Sequence, residues 1–411
     1  MLKRPTKRTS IALLLGVGVL VNYFDRVNLS VAHDALQRQF GISDVSFGYL
    51  LGAYSWTYAA MQLPSGSLLD RFGVRRVMLV ATLLWALSSG LSAIAPTIVL
   101  LFAARYLLGV GEAPTFPANA KAIGLWFPER QRGVATATFD AAAKLSIGVG
   151  TPLLGLILLR FGVRANFATT AVLSLGYAAL FAWVYRDPGP GEGNEASSKE
   201  LHLEQNVPLS VLLRERKIWG AAIGAGAYNY CFYLLLTWLP FYLQRGLHMT
   251  TRNAVLWSAV PWLVAAASGF LVGGVMVDTI LRRGGNADLT RRAVLITGAV
   301  LGMFVLAPVF LHSASGILVC LTIALSGGAI LSPVSWTLPS LLGQPGSSGR
   351  IGSIMNLCGQ IAAITAPIVT GYISARTHSF SMAFLVAGFV LLLGITSYVF
   401  LLERIERIAF S

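Results

Sequence analysis

The sequence predicts an all-α membrane protein, and two observations carry that prediction. Of the 411 residues, 55% are hydrophobic and 12% are charged, whereas a soluble domain carries about 25% charged residues. The apolar residues form runs long enough to cross a hydrocarbon core of about 30 Å, which takes roughly 20 helical residues. We expect twelve transmembrane spans, near residues 10–31, 45–68, 77–95, 97–120, 132–158, 166–185, 218–241, 254–277, 292–311, 315–337, 350–373 and 381–402.

The basic residues predict the orientation of these spans. Most of the 31 Lys and Arg fall in the loops on one side of the membrane, and the positive-inside rule puts that side and both termini in the cytoplasm. The net charge of +14 is then a topology signal and a contact for the lipid bilayer, whose headgroups are anionic. We therefore expect no nucleic-acid partner. The basic N-terminus runs straight into the first span, which predicts an uncleaved helix.

Ionisable residues lie within the first and fourth spans. Asp25 and Arg26 are adjacent in span 1, and span 4 carries Arg105 and Glu112 seven residues apart. A charge near the middle of a bilayer costs about 3 kcal/mol, so such residues are functional candidates. Two helical turns separate the charges of span 4 by roughly 10 Å, and each therefore needs a partner from another helix, water or a ligand.

The sequence of the loop after span 2 has the pattern G-x-L-x-D-R-x-G-x-R-R. Its glycines permit a tight turn, and its acid can latch onto basic or helix-terminal partners. We expect this loop to act as a cytoplasmic gate that breaks and re-forms. The gating residues are Gly66, Asp70, Arg71, Gly73, Arg75 and Arg76.

Span 5 adds a third pair of charges, Asp140 and Lys144, at i and i+4. Two interpretations of Lys144 stay open: an intrahelical ion pair with Asp140, or a contact with substrate. The second half of the chain has no Asp, Glu, Lys or Arg deep in a span, so we expect energy coupling in the first half.

Residues 187–216 form the one long polar connection and are rich in Gly, Pro, Glu and Ser. This composition is typical of a flexible linker, here a cytoplasmic one. It divides the chain into an N-terminal six-helix bundle, 1–186, and a C-terminal six-helix bundle, 217–411. A weaker copy of the span 2 loop follows span 8, which fits halves related by duplication.

These motifs resemble a known family. The loop after span 2 resembles the major facilitator superfamily. The segments Asn22–Ser30, Arg105–Pro117 and Leu236–Pro240 resemble its anion:cation symporter family, which includes bacterial proton-coupled carriers of galactonate, glucarate and hexuronates. The resemblance covers essentially the whole chain and implies the major facilitator fold.

The resemblance also implies roles for single residues. Asp25 and Glu112 would be the protonatable pair, with Arg105 tuning Glu112, and Arg26 would bind the substrate carboxylate once Asp25 is neutral. This chain departs from related sugar-acid carriers by having Ala143, beside Lys144, where they often have Gln. Substrate-cavity residues implied by the resemblance are Tyr23, Tyr58, Trp336 and Asn356.

The expected function is therefore proton-coupled import of a small organic anion, such as a sugar acid or other carboxylate, by a monomer in a bacterial inner membrane. Protons are the coupling ion, and no cofactor is expected. Proton-driven export of a drug or metabolite is the alternative. An enzyme is not expected, because the H-E-x-x-H, G-x-S-x-G and phosphate-loop motifs are missing. His33 and His378 are expected at the surface.

Overall fold

The structure is a computed structural model that describes residues 7–127, 129–188, 208–343 and 348–408. These residues form helices and no strand. The helices are α1 (Lys7–Val31), α2 (His33–Phe40), α3 (Asp44–Ile94), α4 (Ile98–Glu112), α5 (Thr115–Trp126), α6 (Glu129–Val184), α7 (Leu209–Leu212), α8 (Arg216–Arg245), α9 (Thr251–Ser268), α10 (Val277–Arg282), α11 (Ala287–Gly302), α12 (Ala307–Phe310), α13 (Ala314–Leu342), α14 (Ser348–Thr377) and α15 (Ser381–Ser397). Three further segments continue neighbouring helices with altered winding: Gly269–Met276 and Tyr398–Leu402 are π-helical, and Met303–Leu306 is 3-10.

Two of these helices are each a pair of membrane spans joined at a glycine. In α3 the backbone leaves helical geometry at Gly73 (φ 78°, ψ 166°), and in α6 it does so at Gly162 (φ 83°, ψ −178°). Side chains other than hydrogen are essentially excluded from such positive φ with extended ψ. Each glycine therefore ends one span and begins the next within a very short connection.

The described residues contain helical segments for the twelve spans that the sequence predicts. Nine segments of the described residues are long and apolar enough to cross a membrane. One of them, Thr138–Val184, has 47 residues. It would rise about 70 Å as one helix, so it holds two spans. The first part of α3 and the whole of α8 supply the remaining two.

Span 4 is interrupted just after Glu112, where Pro114 and Pro117 follow in the sequence. Helix α4 ends at Glu112 and α5 begins at Thr115, with Pro114 at the junction. Proline supplies no backbone donor to the preceding turn, so the helical hydrogen-bond ladder is broken there. The break lies one residue beyond a buried carboxyl group.

The chain divides into two compact units, the first of Met1–Ser198 with Met249–Ala259 and the second of Lys199–His248 with Val260–Ser411. The first unit has a core of stacked aromatic rings, in which Trp85 and Tyr177 lie 6.1 Å apart at 11°. The domain boundaries at 186 and 217 stay a prediction, since residues 189–207 of the linker lie outside the described residues.

One histidine differs from the sequence-based expectation. His33 was expected at the surface, but its side chain is only 2% exposed and its ring packs edge-on against Phe47 at 4.1 Å. Its Nδ1 lies 3.4 Å from Asp34 Oδ1 and its Nε2 lies 3.6 Å from Asp44 Oδ1. The physical reason is that the start of α3, with Asp44 and Phe47, packs against this first residue of α2. His378 is exposed, as expected.

Candidate functional site

Helices α1 and α4 each carry two buried charged residues, Asp25 and Arg26 on α1 and Arg105 and Glu112 on α4. The exposed fraction is 0% for Asp25 and Glu112, 3% for Arg105 and 9% for Arg26. These are the ionisable residues of spans 1 and 4 that the sequence singled out. Burying a charge costs free energy of desolvation, and buried charges are therefore paired with other groups or serve a function. The partners of these four residues thus define the site.

Arg26 is paired with the acid of span 4. Its Nε donates to Glu112 Oε2 at 3.2 Å, across 86 residues of sequence. The guanidinium carbon also lies 4.4 Å from the ring centroid of Tyr23 and 5.5 Å from that of Tyr58. Aromatic faces attract a cation most strongly when both are desolvated. The structure thus pairs Arg26 with Glu112. In the expected mechanism, by contrast, the neutralisation of Asp25 freed Arg26.

Tyr54 belongs to the same site, although the sequence did not single it out as a site residue. Its ring centroid lies 4.8 Å from the Arg26 guanidinium carbon and 5.3 Å from the ring of Tyr58. The available signal was the spacing of four between Tyr54 and Tyr58, which puts both rings on one face of a helix. With Tyr23 they form a set of three rings that we call the tyrosine cage.

Asp25 has neutral hydrogen-bond donors around its carboxylate. Ser89 Oγ donates to Oδ1, Ser174 Oγ donates to Oδ2 at 3.2 Å, and Asn28 Nδ2 donates to Oδ1 at 3.4 Å. Ser89 comes from α3, Ser174 from α6, and Asn28 lies one turn further along α1. These donors come from three different spans of one bundle, so the tertiary packing assembles the surroundings of this acid.

Arg105 contacts the Asp25 region of α1. Its Nη1 donates to the backbone carbonyl of Asp25 at 2.8 Å, and its Nη2 donates to Asn28 Oδ1 at 2.7 Å. The guanidinium carbon also lies 5.6 Å from the ring centroid of Phe167. The amide of Asn28 therefore bridges the guanidinium and the carboxylate. The expected tuning of Glu112 by Arg105 stays a prediction, because the two side chains leave α4 two turns apart.

A close approach of spans 2 and 4 brings the tyrosine cage to Glu112. A Cβ added at Gly109 would lie 2.9 Å from the backbone nitrogen of Tyr58, and closer still to the carbonyl of Tyr54 and the hydroxyl of Thr57. Thr57 Oγ1 also donates to the backbone carbonyl of Tyr106 at 2.8 Å. Only glycine lets two helix backbones meet this closely, which is how small residues pack membrane helices.

Lys144 is paired within its own helix. Its Nζ lies 2.7 Å from Asp140 Oδ2, with the lysine side chain 6% exposed and the aspartate 26%. This is the intrahelical pair that the i, i+4 spacing offered. A contact of Lys144 with substrate stays a prediction, because no substrate is bound.

The loop between spans 2 and 3 is tied to the end of span 6. The backbone nitrogen of Arg75 donates to Asp187 Oδ2 at 3.4 Å, and its Nη2 donates to the carbonyl of Ala182 at 3.1 Å. Tyr185 OH donates to the other oxygen of Asp187 at 3.3 Å. Asp187 was not predicted as a loop partner, since nothing in its sequence surroundings marks it.

The other expected gating residues are placed as follows. Arg71 and Arg76 are exposed, and the Arg71 guanidinium carbon lies 5.2 Å from the ring centroid of Phe72. Gly66 lies within the helix of span 2. The side chain of Asp70 lies outside the described residues, so the latch proposed for it stays a prediction.

Trp336 and Asn356 belong to the second unit. Trp336, on α13, is 55% exposed, and Asn356, on α14, is half-buried. Their expected place in a substrate cavity stays a prediction. Among residues 7–127, 129–188, 208–343 and 348–408, no group of three His, Cys, Asp or Glu is placed to hold a metal ion.

Helical bundles with buried charges on the facing sides of several spans define a membrane transporter, and sequence comparison agrees. The family model described as Major Facilitator Superfamily matches residues 15–367, and the chain belongs to that superfamily. It is a multi-pass membrane transporter and not an enzyme.

The curated relatives are transporters of similar length. A Bacillus subtilis (strain 168) protein named "Uncharacterized transporter YybO" is 37% identical over 99% of this chain and 97% of its own. The "Probable L-galactonate transporter" of Escherichia coli (strain K12) is 32% identical over 97% of this chain and 90% of its own. The "Probable galactarate/D-glucarate transporter GudP" of B. subtilis (strain 168) is 30% identical over 99% of this chain and 94% of its own. The resemblance to sugar-acid carriers is thereby confirmed.

Solved structures share the fold. A bacterial homologue of the human lysosomal transporter Spinster, in an inward-facing and occupied conformation, matches with a TM-score of 0.76 at 16% identity, over 95% of this chain and 96% of that chain. A D-xylose–proton symporter matches with a TM-score of 0.74 at 18% identity, over 98% of both chains. At such identities the likeness concerns the fold alone.

Proposed function

We propose that this protein is a proton-coupled symporter that imports a small organic anion, a sugar acid or another carboxylate, by alternating access. One observation carries the proposal: a buried arginine, Arg26, lies within the tyrosine cage and is paired with a buried carboxylate, Glu112. The same guanidinium can bind either that carboxylate or a carboxylate of the substrate.

The cation and the aromatic rings fit a hydroxylated acid. A guanidinium presents a planar fork of donors that matches a carboxylate, and tyrosines combine an apolar ring with a hydroxyl. Two relatives are named probable transporters of galactarate/D-glucarate and of L-galactonate, and a third, 30% identical, is named a probable sulfoacetate transporter. All of these compounds are small organic anions, and this supports the same substrate class here.

Coupling follows from competition for Arg26. While Glu112 is ionised, it compensates the buried guanidinium, and an anion that displaced it would leave a carboxylate buried without a partner. Leaving one member of a buried ion pair without its partner costs about 3–5 kcal/mol. A proton on Glu112 removes that cost, so the anion enters with the proton and leaves when the proton leaves.

Asp25 is the second protonation site of the proposal. Arg105 donates to its backbone carbonyl and, through Asn28, is linked to its carboxylate. A proton taken up by Asp25 changes the charge that Arg105 compensates on α1. Protonation of either acid therefore changes the contacts between the same two helices, α1 and α4. No covalent bond is made or broken.

The membrane context of the proposal is a bacterial inner membrane with both termini in the cytoplasm. The proton gradient across such a membrane is directed inward, which makes the carrier an importer. We propose that a single chain is the working unit, because Asp25, Arg26, Arg105 and Glu112 all belong to one bundle of one chain.

The test uses purified protein in liposomes with an inward proton gradient and a panel of labelled aldonates, hexuronates, aldarates and small mono- and dicarboxylates. The expected result is uphill accumulation of at least one acid, which collapses when a protonophore is added. Export of preloaded cationic dyes as protons enter, with no acid accumulated, would instead support the proton-driven antiporter.

A substitution separates coupling from binding. Glu112→Gln should abolish accumulation driven by the proton gradient and leave part of the exchange of preloaded substrate. Glu406→Gln is the matched control, because it makes the same change at an exposed carboxylate. Uphill uptake by Glu112→Gln at the wild-type level would refute the assignment of Glu112.

A further inference from the structure

The immediate surroundings of Asp25 differ in kind from those of Glu112. Glu112 accepts a hydrogen bond from a cation, whereas Asp25 accepts hydrogen bonds from the hydroxyls of Ser89 and Ser174 and from the amide of Asn28. The two serines are 3% and 0% exposed, so their hydroxyl groups are held away from bulk water. Their positions on α3 and α6 put one donor on each carboxylate oxygen.

Hydroxyl groups can serve a carboxyl in both of its protonation states. A serine O–H donates to an ionised carboxylate, and after rotation about its C–O bond the same oxygen accepts from a protonated carboxyl. A guanidinium or ammonium has donors only and cannot accept from the O–H of a protonated carboxyl. The hydroxyl pair therefore lets Asp25 gain and lose a proton without a displacement of its helix.

The charged groups near Asp25 are those of the same site. Arg105, on α4, is linked to the carboxylate through Asn28, and Glu112 lies two turns further along the same helix. Arg26 is adjacent on α1 and is compensated by Glu112. From α3 and α6 the groups that face the carboxylate are hydroxyls, those of Ser89, Ser174 and Thr170. Among these charged groups, the serine hydroxyls are neutral and can rotate between donating to the carboxyl group of Asp25 and accepting from it.

We propose that Ser89 and Ser174 are positioning residues of the proton-coupling step: their hydroxyls orient the carboxyl group of Asp25 and set the pH range over which it exchanges its proton. This inference rests on the proposed role of Asp25 in proton coupling. The two serines contact neither Arg26 nor the tyrosine cage through their described hydrogen bonds, so they act through Asp25 and not on the substrate.

The first experiment measures the pH profile of exchange and of uphill uptake for Ser89→Ala and Ser174→Ala. The free energy of a hydrogen bond to a charged group corresponds to a pKa change of roughly one unit or more. Each variant should therefore shift the midpoint of the pH profile by about one unit to higher pH. The sign follows because losing a donor penalises the ionised carboxylate. Uphill uptake should fall at neutral internal pH, where the proton must leave, while exchange at saturating substrate is kept.

A neighbouring serine provides a matched control. Ser88 is equally buried on α3, but its hydroxyl donates to the backbone carbonyl of Ala104 at 2.6 Å. Ser88→Ala should leave the midpoint unchanged, and Ser174→Thr, which keeps a hydroxyl, should restore it. An unchanged midpoint in both Asp25-facing variants, or an equal shift in Ser88→Ala, overturns the inference. If Ser89→Ala does not fold, Ser89→Cys, a weaker donor of similar size, should shift the midpoint in the same direction by less.

A second measurement needs no transport. The infrared carbonyl band of a protonated carboxyl group, followed against pH in the purified protein, should lose the Asp25 contribution in Asp25→Asn and show it shifted to higher pH in Ser174→Ala. Asp25→Asn also separates the two proposals. If this variant still accumulates substrate against its gradient, the proposed role of Asp25 fails; if it loses coupling while the serine variants leave the band unmoved, only the inference about the serines fails.

Discussion

Gly109→Ala is the substitution whose effect the structure fixes most directly. The added Cβ would lie 2.9 Å from the backbone nitrogen of Tyr58 and nearer still to the backbone carbonyl of Tyr54. Backbone atoms cannot move aside as a side chain can, so spans 2 and 4 must separate. Both tyrosines of α3 that surround Arg26 lie on this contact, and Glu112 follows three residues later on α4.

The magnitude follows from two opposing effects. Overpacking a well-packed contact costs about 1–3 kcal/mol, and hard backbone neighbours put this site near the upper end. Alanine in place of glycine inside a helix gains about 1 kcal/mol. The net expectation is a loss of about 2 kcal/mol in the free energy of unfolding. Uptake should fall by more than the amount of folded protein does, because the tyrosine cage is displaced from Arg26.

The assay is thermal unfolding of the purified protein, followed by tryptophan fluorescence, together with uptake in liposomes. Gly176→Ala is the control: this glycine lies in α6, is exposed, and has nothing within 4 Å of an added Cβ. It should unfold at the wild-type temperature or above. A Gly109→Ala protein that is as stable and as active as wild type would show that spans 2 and 4 do not approach as closely as described.

Three further substitutions test other parts of the chain. Lys144→Gln should lower uptake of diacids at least about tenfold more than uptake of monoacids, because a diacid loses one charge-assisted hydrogen bond. An equal loss of uptake for both kinds of acid would assign Lys144 to its intrahelical pair alone. Gly73→Ala should lower the unfolding temperature, because a side chain at this backbone geometry costs about 1–3 kcal/mol, while Gly66→Ala should not, and equal effects would contradict the turn. Glu406→Gln should lower the stability of the protein only at higher pH. The hydrogen bond from Lys217 lowers the pKa of Glu406 below its ordinary 4.5. The stabilisation by this pair is therefore present above pH 4.5 and disappears as the pH falls below that value. An unfolding-temperature difference that persists in acid would refute that pairing.

Much of the fold and part of the site could be predicted because they depend on local composition. Apolar runs of a given length must span the bilayer, and the distribution of Lys and Arg predicts their direction. Charges inside spans are rare and costly, so Asp25, Arg26, Arg105 and Glu112 could be singled out without a structure. The turn at Gly73 was also visible in the sequence, since its motif provides a residue that accepts positive φ.

The partners of these residues were decided by tertiary structure. Arg26 meets Glu112 across 86 residues, and Asp25 meets Ser174 across 149. Such pairs depend on how far each helix is rotated and how closely it approaches its neighbour, and hydrophobic periodicity does not encode this for a helix that is apolar on most faces. Serine is also common in spans, so nothing local distinguishes Ser89 from Ser88.

The sequence by itself thus determined which groups would be buried at a cost, because that cost depends only on the residue type and on its depth in an apolar run. The tertiary structure decided what compensates each of them. It gave Arg26 an acid and the tyrosine cage, and it gave Asp25 hydroxyls and an amide from three helices. The reason is physical: a hydrogen bond forms only within about 3 Å, and only the packing of the bundle brings distant residues that close.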